Sequence, residues 1–163
     1  MTTDSAHGRR WQIFEVVVGV PFLAGVGLQV AVPVSLPRVL PAPVIVLAGA
    51  VLVVAGLALV ILTRRELARH GQPTDPGLPT RKLVTSGVFS MSRNPLYLGG
   101  VCLLAGIALV LNLPWSLALL LPAVVACHYL LIAPEERYLA ARFGAEYTQY
   151  AASVRRWLGR VRT

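Results

Sequence analysis

The fold of this chain is organised around the segment LVTSGVFSMSRNPLYLG, residues Leu83–Gly99. Its first half is polar and its second half opens a long apolar run, so the segment is predicted to pass from water into an apolar environment. Pro95 is expected in the first turn of a helix, where its missing N–H would have no partner anyway. Asn94, directly before it, can cap the free N–H groups of that turn. Together with Arg93, this helix start is predicted to hold an anionic group.

Composition predicts a membrane protein. The chain has 163 residues, of which 56% are hydrophobic and 13% charged, whereas a soluble domain carries about 25% charged residues. The net charge is +8, but every Lys and Arg except Arg38 falls in the N-terminus, the 64–94 connection or the tail. This pattern is typical of positive-inside topology and argues against a nucleic-acid partner. Cys102 and Cys127 lie in apolar runs, which indicates packing residues and supports neither a disulfide framework nor a metal site.

Apolar runs predict the helices. Val44–Thr63 is uncharged and long enough to span the roughly 30 Å hydrocarbon core. Residues 94–134 carry no Asp, Glu, Lys or Arg and are too many for one helix, and Asn112–Pro114 divides them into a hairpin. Gly49 and Gly56 are expected to allow close helix packing. We therefore predict an all-α, polytopic membrane protein forming one domain over 1–163, with four transmembrane helices at about 11–35, 44–63, 95–111 and 114–133.

The tail is predicted to form one amphipathic helix against the membrane surface or the end of the bundle. Its apolar and aromatic residues recur every three or four positions, as one face of a helix requires. They are Leu139, Phe143, Tyr147, Tyr150 and Val154. Because the N-terminus, the 64–94 connection and the tail are the basic segments, both termini are predicted to be cytoplasmic, in an integral protein of the cell membrane.

Polar residues from both ends of the hairpin are expected to meet on the cytosolic side, because its helices run antiparallel. Arg93 offers a fork of donors to a carboxylate. Glu135 or Glu136 could accept from an ammonium group or from ribose hydroxyls, and Gly99-Gly100 would leave room beside a flat ring. Each feature also has a plainer interpretation. Arg93 could be a positive-inside charge, the two glutamates could pair with nearby arginines, and Gly99-Gly100 could be a packing notch. Their combination at one depth favours a binding site.

Two motifs resemble those of a known family. Leu83–Gly99 resembles the L-x-T-x-G-x-[YF]-x-x-x-R-[HN]-P-x-Y-x-G signature of isoprenylcysteine carboxyl methyltransferases and related phospholipid methyltransferases. Glu135–Tyr150 resembles their E-E-x-x-L…F-G-x-x-Y-x-x-Y element. The motifs occur in the family's order and define a motif-bearing, cofactor-binding half at about 83–157. Asn94 stands where the family more often has His, and it cannot act as a base near neutral pH.

The resemblance implies an integral-membrane methyltransferase that uses S-adenosylmethionine. It implies a pocket that opens to the cytosol beneath the C-terminal helix. Arg93 and Glu136 are the candidate catalytic residues, and no metal is expected. The implied cofactor-binding residues are Asn94, Pro95, Tyr97, Gly99, Glu135 and Glu136.

The acceptor and the atom that is methylated stay open at this point. A lipid-like or prenylated acceptor is expected, with carboxyl O-methylation of an isoprenylcysteine-like group as the family's namesake reaction. Phospholipid amine N-methylation is the nearest alternative. Two other classes are an NADPH-dependent membrane reductase, since sterol reductases have a loosely similar C-terminal layout, and a small scaffold without catalysis. The oligomeric state and the glutamate that contacts the cofactor are also open.

Overall fold

The computed structural model describes residues 13–37, 39–72 and 80–161. The predicted start of the first helix at residue 11, Arg38 and the Pro-rich middle of the 64–94 connection lie outside these ranges. The described part of the chain is helical and contains no β-strand beyond one isolated bridge between Val154 and Arg160. The predicted all-α class is confirmed.

The helices follow one another through connections of up to ten residues, apart from the longer segment between the second and the third. The α-helices of the described residues are α1 (Val20–Ala31), α2 (Ala42–Arg69), α3 (Pro95–Val110), α4 (Pro114–Cys127), α5 (Ala133–Phe143) and α6 (Ala145–Ser153). π-Helical segments precede α1 (Glu15–Gly19) and join α4 to α5 (His128–Ile132), and a 3-10 turn (Gly87–Ser90) precedes α3.

Within the described residues, two helices are long and apolar enough to cross a membrane: α2, and the continuous stretch Pro114–Phe143. The apolar helices Glu15–Ala31 and Pro95–Val110 are shorter. Several large apolar side chains of α2 are exposed, among them Leu47 at 66% and Val54 at 68%. A continuous apolar surface of this kind suits contact with lipid.

Three helix ends differ from the predicted positions. The first helix ends at Ala31 instead of about residue 35, and residues 33–37 around two prolines form no regular structure. The second runs to Arg69, beyond Thr63. Its added residues include Arg, Leu, Ala and Glu, which are good helix formers, so the charges end the apolar run without ending the helix. The fourth passes residue 133, since a π-helical segment carries it into α5.

The prediction of one amphipathic helix in the tail is wrong, because Gly144 divides it. Gly144 has φ +52° and ψ −120°, a conformation that favours glycine, and it lies between α5 and α6. The aromatic stripe nevertheless packs as a unit. Tyr147, Tyr150 and Val154 form a buried cluster with Leu83, and Phe89, Leu139 and Phe143 pack against it. The stripe therefore covers the start of the segment 83–99.

Helices α2 and α3 pack backbone to backbone in antiparallel orientation. Gly56 lies against Gly99, and Gly49 lies against Gly106. A Cβ added at Gly56 would lie 2.6 Å from the carbonyl oxygen of Gly99, which leaves no room for a side chain. This contact confirms the predicted packing role of Gly49 and Gly56.

A second contact joins the first and fourth helices. Ser116 Oγ donates to the Phe22 carbonyl at 3.1 Å, which satisfies a buried hydroxyl. The adjoining core contains Val18, Leu131, Ile132 and Cys127, all fully buried. Cys127 is thus a packing residue, as predicted, and both cysteines are free thiols.

Candidate functional site

Glu136 is the centre of a charged cluster between the start of α3, the start of α5 and the tail. Arg156 donates to both of its oxygens, from Nε at 2.9 Å and from Nη2 at 2.7 Å. Arg93 Nη1 lies 3.4 Å from Glu136 Oε1. The side chains of Arg93 and Glu136 are each only 14% exposed. Bidentate pairing of this kind is the stronger form of an Arg–carboxylate contact.

Glu135 has a different partner from its neighbour. Tyr97 Oη donates to Glu135 Oε2 at 2.9 Å, which links α3 to α5 directly. The Phe14 ring lies tilted against Tyr97, with centroids 6.1 Å apart. The two adjacent glutamates therefore contact different groups, a phenol for Glu135 and two guanidinium groups for Glu136. Residues from both ends of the hairpin therefore meet here, as the sequence predicted.

Arg93 has a buried donor that is unused among the described residues. Its Nη1 also donates to Tyr147 Oη at 3.4 Å. Its Nε is buried and has no hydrogen-bond partner in the described part of the chain. A buried donor without a partner is costly, so this nitrogen fits an added acceptor such as a carboxylate.

Asn94 does not cap α3 with its side chain, which corrects the sequence-based prediction. It occupies the N-cap position, but its side chain makes no capping bond. Instead Asn94 Nδ2 donates to the Arg156 carbonyl at 3.2 Å, and its backbone N–H donates to Ser92 Oγ at 3.1 Å. Pro95 opens the helix, as predicted, and is fully buried. Asn94 thus holds the tail against the start of α3.

The chain after α6 folds back along residues 91–94. The Arg93 N–H donates to the Arg155 carbonyl at 3.1 Å, and the Gly159 N–H donates to the Met91 carbonyl at 2.7 Å. Gly159 has φ +102°, a turn conformation that favours glycine. The sequence shows Arg155 and Arg156 alike, as charges of the basic tail, whereas in the structure Arg156 is the one of the two that contacts Glu136. The local sequence does not distinguish the two arginines, because the turn at Gly159 fixes the register of the tail against residues 91–94.

Two buried tyrosines of α6 flank the cluster. Tyr150 Oη donates to the Phe89 carbonyl at 2.7 Å. Burial raises the pKa of Tyr150, and burial together with the charge of Glu136 raises the pKa of Tyr147. Both hydroxyls therefore stay protonated near neutral pH. The hydrogen bonds to Glu136 raise the pKa of Arg156, so this guanidinium stays charged.

Gly99 lies at the contact between helices. A Cβ at Gly99 would lie 2.9 Å from the Gly56 carbonyl oxygen and 3.0 Å from Val60 on α2. A Cβ at Gly100 would meet the Phe14 ring. Contact of Gly99 with a cofactor stays a prediction.

A second polar cluster, which sequence reasoning missed, ties the 64–94 connection to the end of α2. Glu66 is only 8% exposed, and Ser86 Oγ donates to its Oε1 at 2.5 Å. Arg69 forms an ion pair with it at 3.5 Å. Gly87, with φ +58°, lies so close that a Cβ would be 2.8 Å from the Glu66 carboxyl carbon. The contact thus connects α2 to the segment that leads into Arg93.

Replacing Ser86 with alanine should loosen this connection. The buried carboxylate of Glu66 would lose its hydroxyl donor, and such a hydrogen bond contributes about 1.5–3 kcal/mol. We expect amide hydrogen exchange over residues 83–92 to accelerate by on the order of tenfold. Ser90→Ala is the matched control, because Ser90 Oγ donates only to the exposed Gly87 carbonyl. Equal protection in both variants would contradict a restraining role for Glu66.

Comparison with known proteins gives two matches. A family model described as phospholipid methyltransferase matches residues 44–146. Protein-S-isoprenylcysteine O-methyltransferase of Saccharomyces cerevisiae is 36% identical over 110 residues, which are 62% of this chain and 46% of the yeast protein. The aligned part thus spans just under half the length of that curated relative. No solved structure matches the chain. The family match includes Arg93 and Glu136, whereas Arg156 lies beyond it.

Proposed function

Because the chain belongs to the phospholipid methyltransferase family, we propose that it is an integral-membrane methyltransferase that takes its methyl group from S-adenosylmethionine. We propose a lipid-like or prenylated acceptor and, as the favoured reaction, O-methylation of an isoprenylcysteine-like carboxyl group. The name of the yeast relative supports this choice. The observation that carries the proposal is the cluster of Arg93, Glu136 and Glu135 between the starts of α3 and α5.

The residues of this cluster suit the methyl donor. Its methionine end carries an ammonium and a carboxylate group, and its ribose carries hydroxyls. Glu135 and Glu136 would accept from the ammonium group or the hydroxyls, and the unused Nε of Arg93 would donate to a carboxylate. Asn94, Pro95, Tyr97 and Gly99 are the remaining proposed lining residues.

The proposed chemistry needs positioning more than proton transfer. S-Adenosylmethionine supplies an electrophilic methyl group on a sulfonium centre. The protein's part is to hold the acceptor oxygen about 3–3.5 Å from that methyl group and in line with the bond that breaks. In this proposal Arg93 orients a carboxylate, either that of the methyl donor or that of the acceptor, and the apolar helices exclude water. Glu136 holds the methyl donor by accepting from the ammonium group of that donor.

The asparagine at position 94 favours a carboxylate acceptor over an amine. A carboxylate is already deprotonated at neutral pH and attacks without a base, whereas an ammonium group must first lose a proton. Asn94 cannot accept that proton, and its amide is engaged with the Arg156 carbonyl. Phospholipid amine N-methylation therefore stays the second candidate.

The proposed topology places all four apolar helices in the bilayer as one membrane domain over 1–163, with both termini cytoplasmic. The two shorter helices, Glu15–Ala31 and Pro95–Val110, would complete the bundle around the longer ones. Residues 83–157 would form its cofactor-binding half. The cluster would then lie at the cytosolic end of the bundle, where a donor from the cytosol and an acceptor from the membrane meet.

Binding of S-adenosylhomocysteine, the demethylated product of the donor, tests the cofactor and the site together. We expect calorimetry on the detergent-purified protein to give micromolar binding, weakened about tenfold or more by Arg93→Ala. Arg64→Ala removes an exposed charge from α2 and should leave this binding unchanged.

A second experiment identifies the acceptor. Transfer of a labelled methyl group to a farnesylcysteine derivative, with none to phosphatidylethanolamine, would identify O-methylation as the reaction. Binding of NADPH in place of S-adenosylhomocysteine would instead support the reductase.

A further inference from the structure

Two guanidinium groups share one carboxylate in the cluster around Glu136. Arg156 binds both oxygens, and Arg93 lies 3.4 Å from one of them. The neighbouring Glu135 accepts from Tyr97. Glu136 is thus the shared partner of both guanidinium groups, while Glu135 is engaged with a phenol on α3.

The two arginines differ in their freedom to change partners. The side chain of Arg156 is 39% exposed, whereas that of Arg93 is 14% exposed. The backbone of Arg156 is fixed, because its carbonyl accepts from Asn94 Nδ2 at 3.2 Å and from Ser92 Oγ at 3.4 Å. The guanidinium of Arg156 can therefore leave Glu136 while the tail stays in place.

Only a ligand with both charges can open the Glu136–Arg156 pair without leaving one of its two charges unpaired. A lone cation on Glu136 would displace Arg156 and leave its guanidinium without a partner. A lone anion would have to compete with Glu136 for the same arginine. A ligand that carries an ammonium group next to a carboxylate keeps every charge paired, since its ammonium group pairs with Glu136 and its carboxylate with the released Arg156. Unpaired charges in a partly buried site are costly, so the paired exchange is favoured.

We propose that Glu136 and Arg156 form an exchangeable binding site for an α-amino-acid group, in which Glu136 takes the ammonium and Arg156 takes the carboxylate. Arg93, whose buried Nε has no partner among the described residues, supplies a second donor to that carboxylate. The inference deepens the proposed function and rests on it, because the methionine end of the methyl donor is such a group. Free amino acids and the headgroup of phosphatidylserine share this chemistry.

A pair of nucleosides separates a binding role of Arg156 from a structural one. S-Adenosylhomocysteine carries the amino-acid group, whereas 5′-methylthioadenosine keeps the adenosine and thioether and lacks that group. On the detergent-purified chain we expect Arg156→Gln to weaken S-adenosylhomocysteine binding about tenfold or more and to leave 5′-methylthioadenosine binding unchanged. Arg155→Gln, at the exposed neighbouring position, should change neither. Arg156→Lys should give an intermediate loss, since it keeps the charge without the fork.

Equal weakening of both nucleosides by Arg156→Gln, or no weakening of either, would overturn the proposal. If the wild type binds neither nucleoside, the methyltransferase function fails, and methionine and short-chain phosphatidylserine become the deciding ligands. Binding of either one that depends on Arg156, with short-chain phosphatidylcholine as the control, would keep the amino-acid site. Binding of none of these ligands would overturn it as well.

Discussion

Replacing Glu136 with glutamine should weaken S-adenosylhomocysteine binding by on the order of a hundredfold and abolish measurable methyl transfer. Glutamine has nearly the same shape but no charge, so two guanidinium groups would face each other across a neutral amide. Removing one partner from a largely desolvated charge pair costs about 3 kcal/mol. Glu136 is 14% exposed and pairs with both Arg93 and Arg156, which places it in that class.

Glu146→Gln is the matched control for this variant. Glu146 is exposed on α6, so removing its charge should alter binding by less than about twofold. Circular dichroism and thermal melting of both variants would verify that each folds. A folded Glu136→Gln protein that binds the product like the wild type would disprove a direct role for this carboxylate.

Replacing Gly56 with alanine should destabilise the protein by about 2 kcal/mol or more, although it adds a single methyl group. The new Cβ would lie 2.6 Å from both the Gly99 carbonyl oxygen and the Leu103 backbone nitrogen. Backbone atoms cannot rotate away, so α2 and α3 would have to separate along their length. The start of α3 carries Arg93 and Tyr97, so we also expect weaker ligand binding.

Gly27→Ala provides the comparison, because a Cβ at Gly27 in α1 meets nothing within 4 Å. Alanine has the higher helix propensity, so this variant should melt at the same temperature as the wild type or slightly higher. The measurement is the thermal midpoint in detergent, followed by tryptophan fluorescence. Similar midpoints for the two variants would show that the contact between α2 and α3 is more pliable than its geometry indicates.

Sequence reasoning succeeded where the signal is local or follows from helix geometry. The charge-free run 94–134 and its Asn112–Pro114 break predicted two antiparallel helices, which bring residues near both ends together. The contact of Arg93 with Glu136 and that of Tyr97 with Glu135 follow from this geometry. Pro95 likewise marked the start of α3, because proline fits the first helical turn and few other helical positions.

The failures occurred where distant residues compete with a local preference. An asparagine before a helix ordinarily caps it, but the amide of Asn94 donates to a carbonyl 62 positions away, in the tail. The periodic stripe of the tail predicted one helix, and the positive φ of Gly144 divided it. Arg156 was indistinguishable from Arg155, because only the folded tail decides which of them reaches Glu136.

The fourth helix continues without a break into α5, and its length bears on the depth of Glu135 and Glu136 in the bilayer. At 1.5 Å per residue, Glu135 lies about 32 Å along the axis from Pro114, close to the roughly 30 Å thickness of the hydrocarbon layer. If Pro114 marks the far boundary, the carboxylates sit at headgroup level of the opposite leaflet. An acceptor would then react without leaving its leaflet, and its product would depart by lateral diffusion. Turnover would depend on bilayer thickness, since a thicker membrane would draw the carboxylates below the headgroups.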